Sequence, residues 1–240
     1  MGSNNRELPR WGATEPQRIM VGVPTHSGRV HYRLAKWLAE IANAKAAKIS
    51  FKPYTSPVEF ARNCLVKSFL ESDCEKLWMI DDDLAPPDAA WAMASTPGDI
   101  VSGLYLVPFR HPDTGQWRVM PTAYKETGGA LHSMELPQQA GPYPVDAAGT
   151  GCLIISRKVL KDPRMRFANT DNASDPVPAV FRYRRAANGR DLMGEDIDFT
   201  RRATKLGYSV VLDTRFMYDH RKECSLKDTM DMAISYAAAI

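Results

Sequence analysis

Three consecutive carboxylates, Asp81, Asp82 and Asp83, directly follow the apolar run of KLWMIDDDLAPPDAAW, residues 76–91. Like charges side by side repel and are costly to desolvate, so a cluster at a strand end needs a partner. A hard divalent ion, Mg²⁺ or Mn²⁺, is one such partner, because it takes carboxylate oxygens and shares them with a diphosphate. The start of the following helix is another, since it favours anions and gives the acids a purely structural use. His220, at the end of DTRFMYDH, can offer an imidazole to the same ion. Asp219 beside it is an alternative ligand or an orienting group, and an ordinary surface or core histidine is the bland reading. Gly194-Glu195-Asp196 opens a helical pattern. Its acids either complement the helix dipole or present a rigid general base or acceptor anchor. In AAGTGC, residues 147–152, Gly149 and Gly151, on either side of Thr150, let a backbone approach a ligand closely, or they form a tight strand bend. Arg62 either grips a diphosphate by a bidentate pair or is an exposed helix residue. In FRYRRAANGR, residues 181–190, Arg182, Arg184 and Arg185 interleave with Phe181 and Tyr183. That pattern holds the phosphates of a donor or of a nucleic acid, or it is a solvated loop.

These residues need elements to position them. RIMVGVP, residues 18–24, reads as a buried strand with its exit loop. Leu34, Trp37, Leu38, Ile41 and Lys45 follow helical spacing. SPVEFARNCLVKSFLES carries a start signal, with Ser56 as cap, Pro57 in the first turn and Glu59 reaching back; Val58, Cys64, Leu65 and Phe69 then face the core. KLWMID is a strand, PPDAAWAMAS a short helix and DIVSGLYLV a further strand. RVMPTAY and ALHSME flank a Gly-Gly pair and predict a hairpin at the sheet edge. VDAAGTGCLIISRKVL predicts a strand broken by a Gly turn, then a helix start. GEDIDFTRRATKLG predicts an amphipathic helix closed by Gly207, YSVVLDTRFMYDH a strand, and Ser225 opens a last helix through Ala239. The segment Asp162–Arg190 is long for a passive connection and reads as a functional lid or a partly disordered stretch.

Strands alternate with helices, which favours an α/β fold with a mainly parallel sheet covered on both faces. In such sheets ligands bind beyond the carboxyl ends of the strands, where the acidic triplet lies. The chain has 240 residues, 44% hydrophobic and 25% charged, with a net charge of +3. That suits a flexible tail over 1–17 and a single soluble domain over 18–240. The mild positive charge permits a polyanionic partner without demanding one. Four scattered cysteines, no secretory signal and no membrane-length apolar run suggest a reduced, cytoplasmic protein.

In order along the chain, VGVPTH, ARNCLVKSFLES, LWMIDDDLAPP, DIVSGLY, VDAAGTGCLIISRKVL, GEDIDFTRRATKLGY and VVLDTRFMYDH together resemble the GT-A superfamily of glycosyltransferases over most of Arg18 to His220. They are similar to the short glycosyltransferases common in bacteriophage genomes, some of which resemble enzymes that glycosylate hydroxymethylated pyrimidines in DNA. The resemblance implies a Rossmann-like three-layer α/β/α sandwich with an inserted hairpin. It implies transfer from a nucleotide-diphospho-sugar, a UDP-sugar favoured, with Mn²⁺ or Mg²⁺. It makes the triplet a DXD motif, with Asp83 on the metal together with Asp81 and His220, Asp81 also on the nucleoside and ribose, and Asp82 assisting. Pro24, Thr25 and His26 would line the nucleotide pocket, and Arg62 would face the diphosphate or sugar. Gly149, Thr150 and Gly151 would meet sugar and acceptor. Asp196, with Glu195 second, would be the base of an inverting transfer; a retaining enzyme would instead use a diphosphate oxygen on the same face. Modified duplex DNA is one acceptor, held by Arg182, Arg184 and Arg185; a protein, glycan, lipid-linked or small-molecule hydroxyl competes with it. Two rivals come from other classes. One is a metal-dependent phosphoryl-transfer enzyme using the triplet and His220. The other is a non-catalytic nucleotide-sugar or nucleic-acid binding module.

Overall fold

The computed structural model describes residues 18–111, 114–167, 177–185 and 192–221. Its centre is a seven-stranded sheet of β1 (Ile19–Thr25), β2 (Lys48–Pro53), β3 (Lys76–Ile80), β4 (Ile100–Leu104), β5 (Pro142–Pro144), β6 (Cys152–Ser156) and β7 (Val210–Met217). The spatial order is β5-β7-β4-β6-β3-β1-β2. β1 pairs in parallel with β2 and β3, and β7 with β4. β6 runs against both β3 and β4, and β5 against β7. Five strands therefore share one direction, but the reversed β6 sits in the middle and makes the sheet mixed. The sequence does not announce this reversal, because CLII is apolar throughout and buried on both faces whichever way it runs.

Alternation along the strands divides the core in two. Leu77, Met79, Leu153 and Ile155 join Leu65, Val66, Phe69, Phe199 and Ala203 on one face. Those helical residues belong to α2 (Val58–Leu70) and α4 (Glu195–Lys205), and Val159 and Leu160 of α3 (Arg157–Lys161) join them. Trp78, Ile80, Cys152 and Ile154 point the other way, onto Leu34, Trp37, Leu38 and Ile41 of α1 (Tyr32–Asn43) and Trp91 of the 3₁₀ helix Ala90–Ser95. The result is the three-layer α/β arrangement, with helices on both faces of the sheet. Among the described residues no helix is long and apolar enough to cross a membrane.

Several local expectations shift. α2 starts at Val58 with Pro57 as its N-cap and no side-chain capping bond, so Ser56 lines a cleft described below. PPDAAWAMAS forms a 3₁₀ turn in place of an α-helix. The Gly-Gly hairpin forms between Ala123–Thr127 and Ala130–Ser133, with Gly128 at φ +60° and Gly129 at φ +81°. Those angles fit the type I′ turn that matches strand twist. Trp117–Pro121 belongs to a different hairpin, with Leu106–Arg110. Gly207 follows α4 at φ +89°, as a C-terminal glycine should. β2 was not legible as a strand in the chain's apolar runs. It is an edge strand whose Ile49 and Phe51 alternate with Lys48, Ser50 and Lys52, and that period of two was its signal. The helix expected from Ser225 lies outside the described residues, as do positions 168–176 and 186–190 of the 162–190 segment.

Candidate active site

β1 and β3 lie side by side in the same direction and end together. β1 exits through Pro24, Thr25 and His26, and β3 exits into the acidic triplet. Between these exits and the approach to α2 lies a cleft of about 370 Å³, lined by Pro24, Thr25, His26, Thr55, Ser56, Val58, Ala61 and Asp81, Asp82 and Asp83. Its place, beyond the carboxyl ends of parallel strands, is where α/β sheets bind ligands, and its size is that of a small-molecule pocket.

The three carboxylates have different surroundings. The Asp81 backbone N–H donates to the Gly151 carbonyl at 2.8 Å. Its carboxylate is gripped by Arg62, whose Nη2 lies 2.9 and 3.1 Å from the two oxygens. The other arm of the guanidinium, Nη1, donates to Glu195 Oε1. Arg62 and Glu195 are 4% and 3% exposed, whereas the Asp81 side chain keeps 30% of its surface open. The Asp82 carbonyl accepts from His31 N–H at 2.8 Å and ties the triplet to the start of α1. Asp83 Oδ2 faces His220 Nε2 at 3.4 Å.

His220 reaches Asp83 through a two-residue antiparallel bridge that pairs Asp219–His220 with Leu84–Ala85. Its Nδ1 lies 3.0 Å from the Leu106 carbonyl. A carbonyl only accepts, so Nδ1 carries the proton, leaving Nε2 to face Asp83. The Tyr105 ring holds the imidazole edge-on, with centroids 5.5 Å apart. A nitrogen and a carboxylate oxygen thus face one shared space, a donor pair suited to a divalent cation. The expected third ligand, Asp81, is turned to Arg62 instead, and the described residues contain no group of three metal-ligating side chains. Asp219, the alternative ligand, is also turned to basic side chains. It faces Arg33 at 3.7 Å and pairs with Arg221.

Electrostatics follow this geometry. Burial pushes the Asp81 carboxyl above its ordinary pKa, and the charge and hydrogen bonds of Arg62 oppose that only in part. Burial pulls the Arg62 guanidinium down, but Asp81 and Asp196 more than offset it, so Arg62 ends above the usual arginine value. Burial, then the charge of Asp196, raises the Tyr105 hydroxyl. Asp196 is half-buried at the start of α4, and its Oδ1 accepts from Ile197 N–H at 2.7 Å. Its charge is felt at Arg62, Asp81, Tyr105 and Tyr183, which places it among them.

Other sequence candidates take different positions. Arg62 is not at the cleft surface, because it is buried between two carboxylates. Glu195 is sealed against it. Gly149, Thr150 and Gly151 are buried as well. A Cβ on Gly149 would lie 2.2 Å from the Tyr105 hydroxyl, and one on Gly151 would lie 2.7 Å from Tyr105 Cζ. The room these glycines leave is therefore filled by Tyr105, whose hydroxyl accepts from Gly151 N–H at 3.1 Å. Arg182, Tyr183 and Arg184 line, with Phe167, a separate groove of about 560 Å³. Arg184 pairs with Asp198 at 3.1 Å, and Arg202 shares that carboxylate at 2.8 Å. Arg185 lies in a two-residue strand opposite Leu192.

Asn63 was missed in the sequence as a positioning residue. It is 6% exposed. Its amide donates to the Phe181 carbonyl and its carbonyl accepts from the Val180 and Phe181 N–H groups, all at 2.9 Å. The neighbouring Arg62 and Asn63 thus hold, respectively, the cleft floor and the strip carrying Arg182–Arg184.

No protein-family model matches the chain, and no curated protein matches it. Among solved structures, A197 from STIV is 17% identical over 86% of each chain, with a TM-score of 0.52. GalNAc-T7, determined with UDP, GalNAc and Mn²⁺, is 9% identical over 93% of this chain and 48% of that chain, with a TM-score of 0.46. TarS residues 1–349 from S. aureus are 14% identical over 84% of this chain and 59% of that chain, with a TM-score of 0.43. The first likeness is one of fold. The other two, with TM-scores under 0.5, fall short of that.

Proposed function

We propose that the protein is a metal-dependent glycosyltransferase that moves a sugar from a nucleotide-diphospho-sugar, a UDP-sugar favoured, to an acceptor hydroxyl. The observation that carries this reading is the cleft at the ends of β1 and β3, with Asp81 on its floor and the Asp83–His220 pair beside it. Pro24, Thr25 and His26 form one wall for the nucleotide. The Asp81 carboxylate, held by Arg62 yet open to the cleft, accepts hydrogen bonds from ribose hydroxyls. Asp83 and His220 would hold Mn²⁺ or Mg²⁺, and the remaining positions of the shell suit diphosphate oxygens. A bound divalent cation supplies positive charge against the departing diphosphate. Asp196, with one oxygen committed to Ile197 N–H, keeps the other to take the acceptor proton.

On the acceptor side we favour an anionic partner, modified duplex DNA. The groove of Phe167, Arg182, Tyr183 and Arg184 supports this, because three guanidiniums, those of Arg182, Arg184 and Arg202, surround the Phe167 ring, two of them sharing the carboxylate of Asp198. Reaching a base in a duplex requires flipping it out. The direct test is a screen of UDP-, GDP- and CDP-sugars with Mn²⁺ for slow donor hydrolysis, repeated with hydroxymethylated DNA. Donor hydrolysis that Asp83→Asn abolishes in a folded protein supports the reading. Phosphodiester cleavage without any donor, or donor binding without turnover, contradicts it. DNA binding that does not weaken between low and high salt contradicts the acceptor assignment.

A further inference from the structure

Arg62 lies at the centre of a charge network that a ligand cleft alone does not require. Its Nη2 grips both oxygens of Asp81 and its Nη1 donates to Glu195. The three residues come from α2, the end of β3 and the start of α4. One cation between two carboxylates leaves the cluster net negative, and the Arg62 Nε has no hydrogen-bond partner among the described residues. Such a network is a poor source of stability. Removing these charges from water is expensive, and apolar side chains of similar volume commonly serve the fold as well or better. Its geometry, however, is specific. A planar guanidinium holds two carboxylates at once, one on each Nη and at a fixed angle to each other, a fork that the point charge of a lysine ammonium does not reproduce. Without that grip the Asp81 side chain is free to rotate into the cleft.

We propose that Arg62 is a positioning residue that sets the Asp81 carboxylate on the cleft floor and ties it to the start of α4, and that Glu195 is its anchor and not a base. The assignment rests on the donor reading of the cleft. It links two parts of the site: Asp81, which meets the donor, and Asp196, the residue after the anchor. Because Glu195 is almost wholly buried against Arg62, it has no open face toward an acceptor.

Three variants test this: Arg62→Lys, Glu195→Gln and the paired apolar replacement Arg62→Met with Glu195→Met. Each is first checked for folding by circular dichroism and Tm. For Glu195→Gln the expected result is a donor KM raised about tenfold with kcat nearly unchanged, the pattern of lost ground-state placement. Arg62→Lys shifts KM in the same direction and further. The paired variant stays folded yet loses donor binding, a combination that a merely structural role does not produce. A roughly thousandfold fall in kcat for Glu195→Gln at unchanged KM would make Glu195 a base and overturn the proposal. Wild-type donor affinity in the paired variant would overturn it as well. If the wild-type protein neither binds nor hydrolyses any nucleotide-sugar, the donor reading fails separately. The clamp is then judged from the ligand-free crystal structure of Arg62→Lys: a rotated Asp81 carboxylate upholds it, and an unmoved one refutes it.

Discussion

Replacing Asn63 by Ala removes three hydrogen bonds at once. The lost partners are the Val180 and Phe181 N–H groups and the Phe181 carbonyl, each 2.9 Å from the amide. Val180 and Phe181 are 0% and 1% exposed, so water does not reach these groups without local opening. A buried polar group left without a partner costs about 1–3 kcal/mol. The Val180 N–H keeps a second acceptor, the Pro178 carbonyl at 3.0 Å, so two groups lose their partner, and the expected destabilisation is about 2–4 kcal/mol. In a protein of this size that lowers Tm by about 10 °C. Asn63→Asp keeps the two acceptor bonds but loses the donor and buries a charge, so it should be no more stable than the Ala variant. Urea unfolding gives the free energy, and hydrogen exchange at Val180 and Phe181 reports the local effect. A loss below about 1 kcal/mol with protection at both amides intact would refute the claim that Asn63 holds the Arg182–Arg184 strip in place.

Other expectations follow from single sites. Gly149→Ala places a methyl group against the hydroxyl of the 5% exposed Tyr105 and should destabilise by about 1–3 kcal/mol; adding Tyr105→Phe should recover part of that, and no recovery would contradict the packing account. Burial raises the Cys152 thiol to about 12, and Cys74 is also buried. Both should therefore resist a thiol reagent at pH 8 until denaturant is added, and fast labelling of either in the native protein would contradict this. Hydrogen bonding from Arg201, chiefly, lowers Glu126 from its ordinary 4.5 to about 2. A depressed carboxyl stabilises the fold above its unfolded pKa, and that contribution disappears as pH falls from about 4.5 toward 2. The Tm of Glu126→Gln should therefore fall less steeply across that window at low salt, and identical slopes would contradict the pairing.

Much of the frame was legible because burial on both faces leaves unbroken apolar runs. IMVGV and LWMI read as strands, and α1 shows its face through Leu34, Trp37, Leu38 and Ile41. The placement of the triplet at a strand end was legible for the same reason, as was His220 after the last strand of the sheet. Strand direction was not, since β6 carries no local mark of its reversal. Nor were the contacts of Arg62, Glu195 and Asn63. Arg62 and Glu195 are 133 residues apart, and nothing in a single helix or loop records a partner at that distance. The glycines at 149 and 151 show how a correct local observation supports two meanings. They do permit close approach, but what approaches is the Tyr105 ring of the same chain.

The central claim is that Asp83 and His220 hold a divalent ion against a nucleoside diphosphate lying in the cleft at the ends of β1 and β3. Anomalous diffraction from crystals grown with Mn²⁺ and UDP measures this most directly. The account predicts one manganese peak within coordination distance of Asp83 and His220 Nε2, with the diphosphate beside it and the ribose at Asp81. Manganese and UDP bound elsewhere, or an empty cleft at saturating concentrations of both, would contradict it.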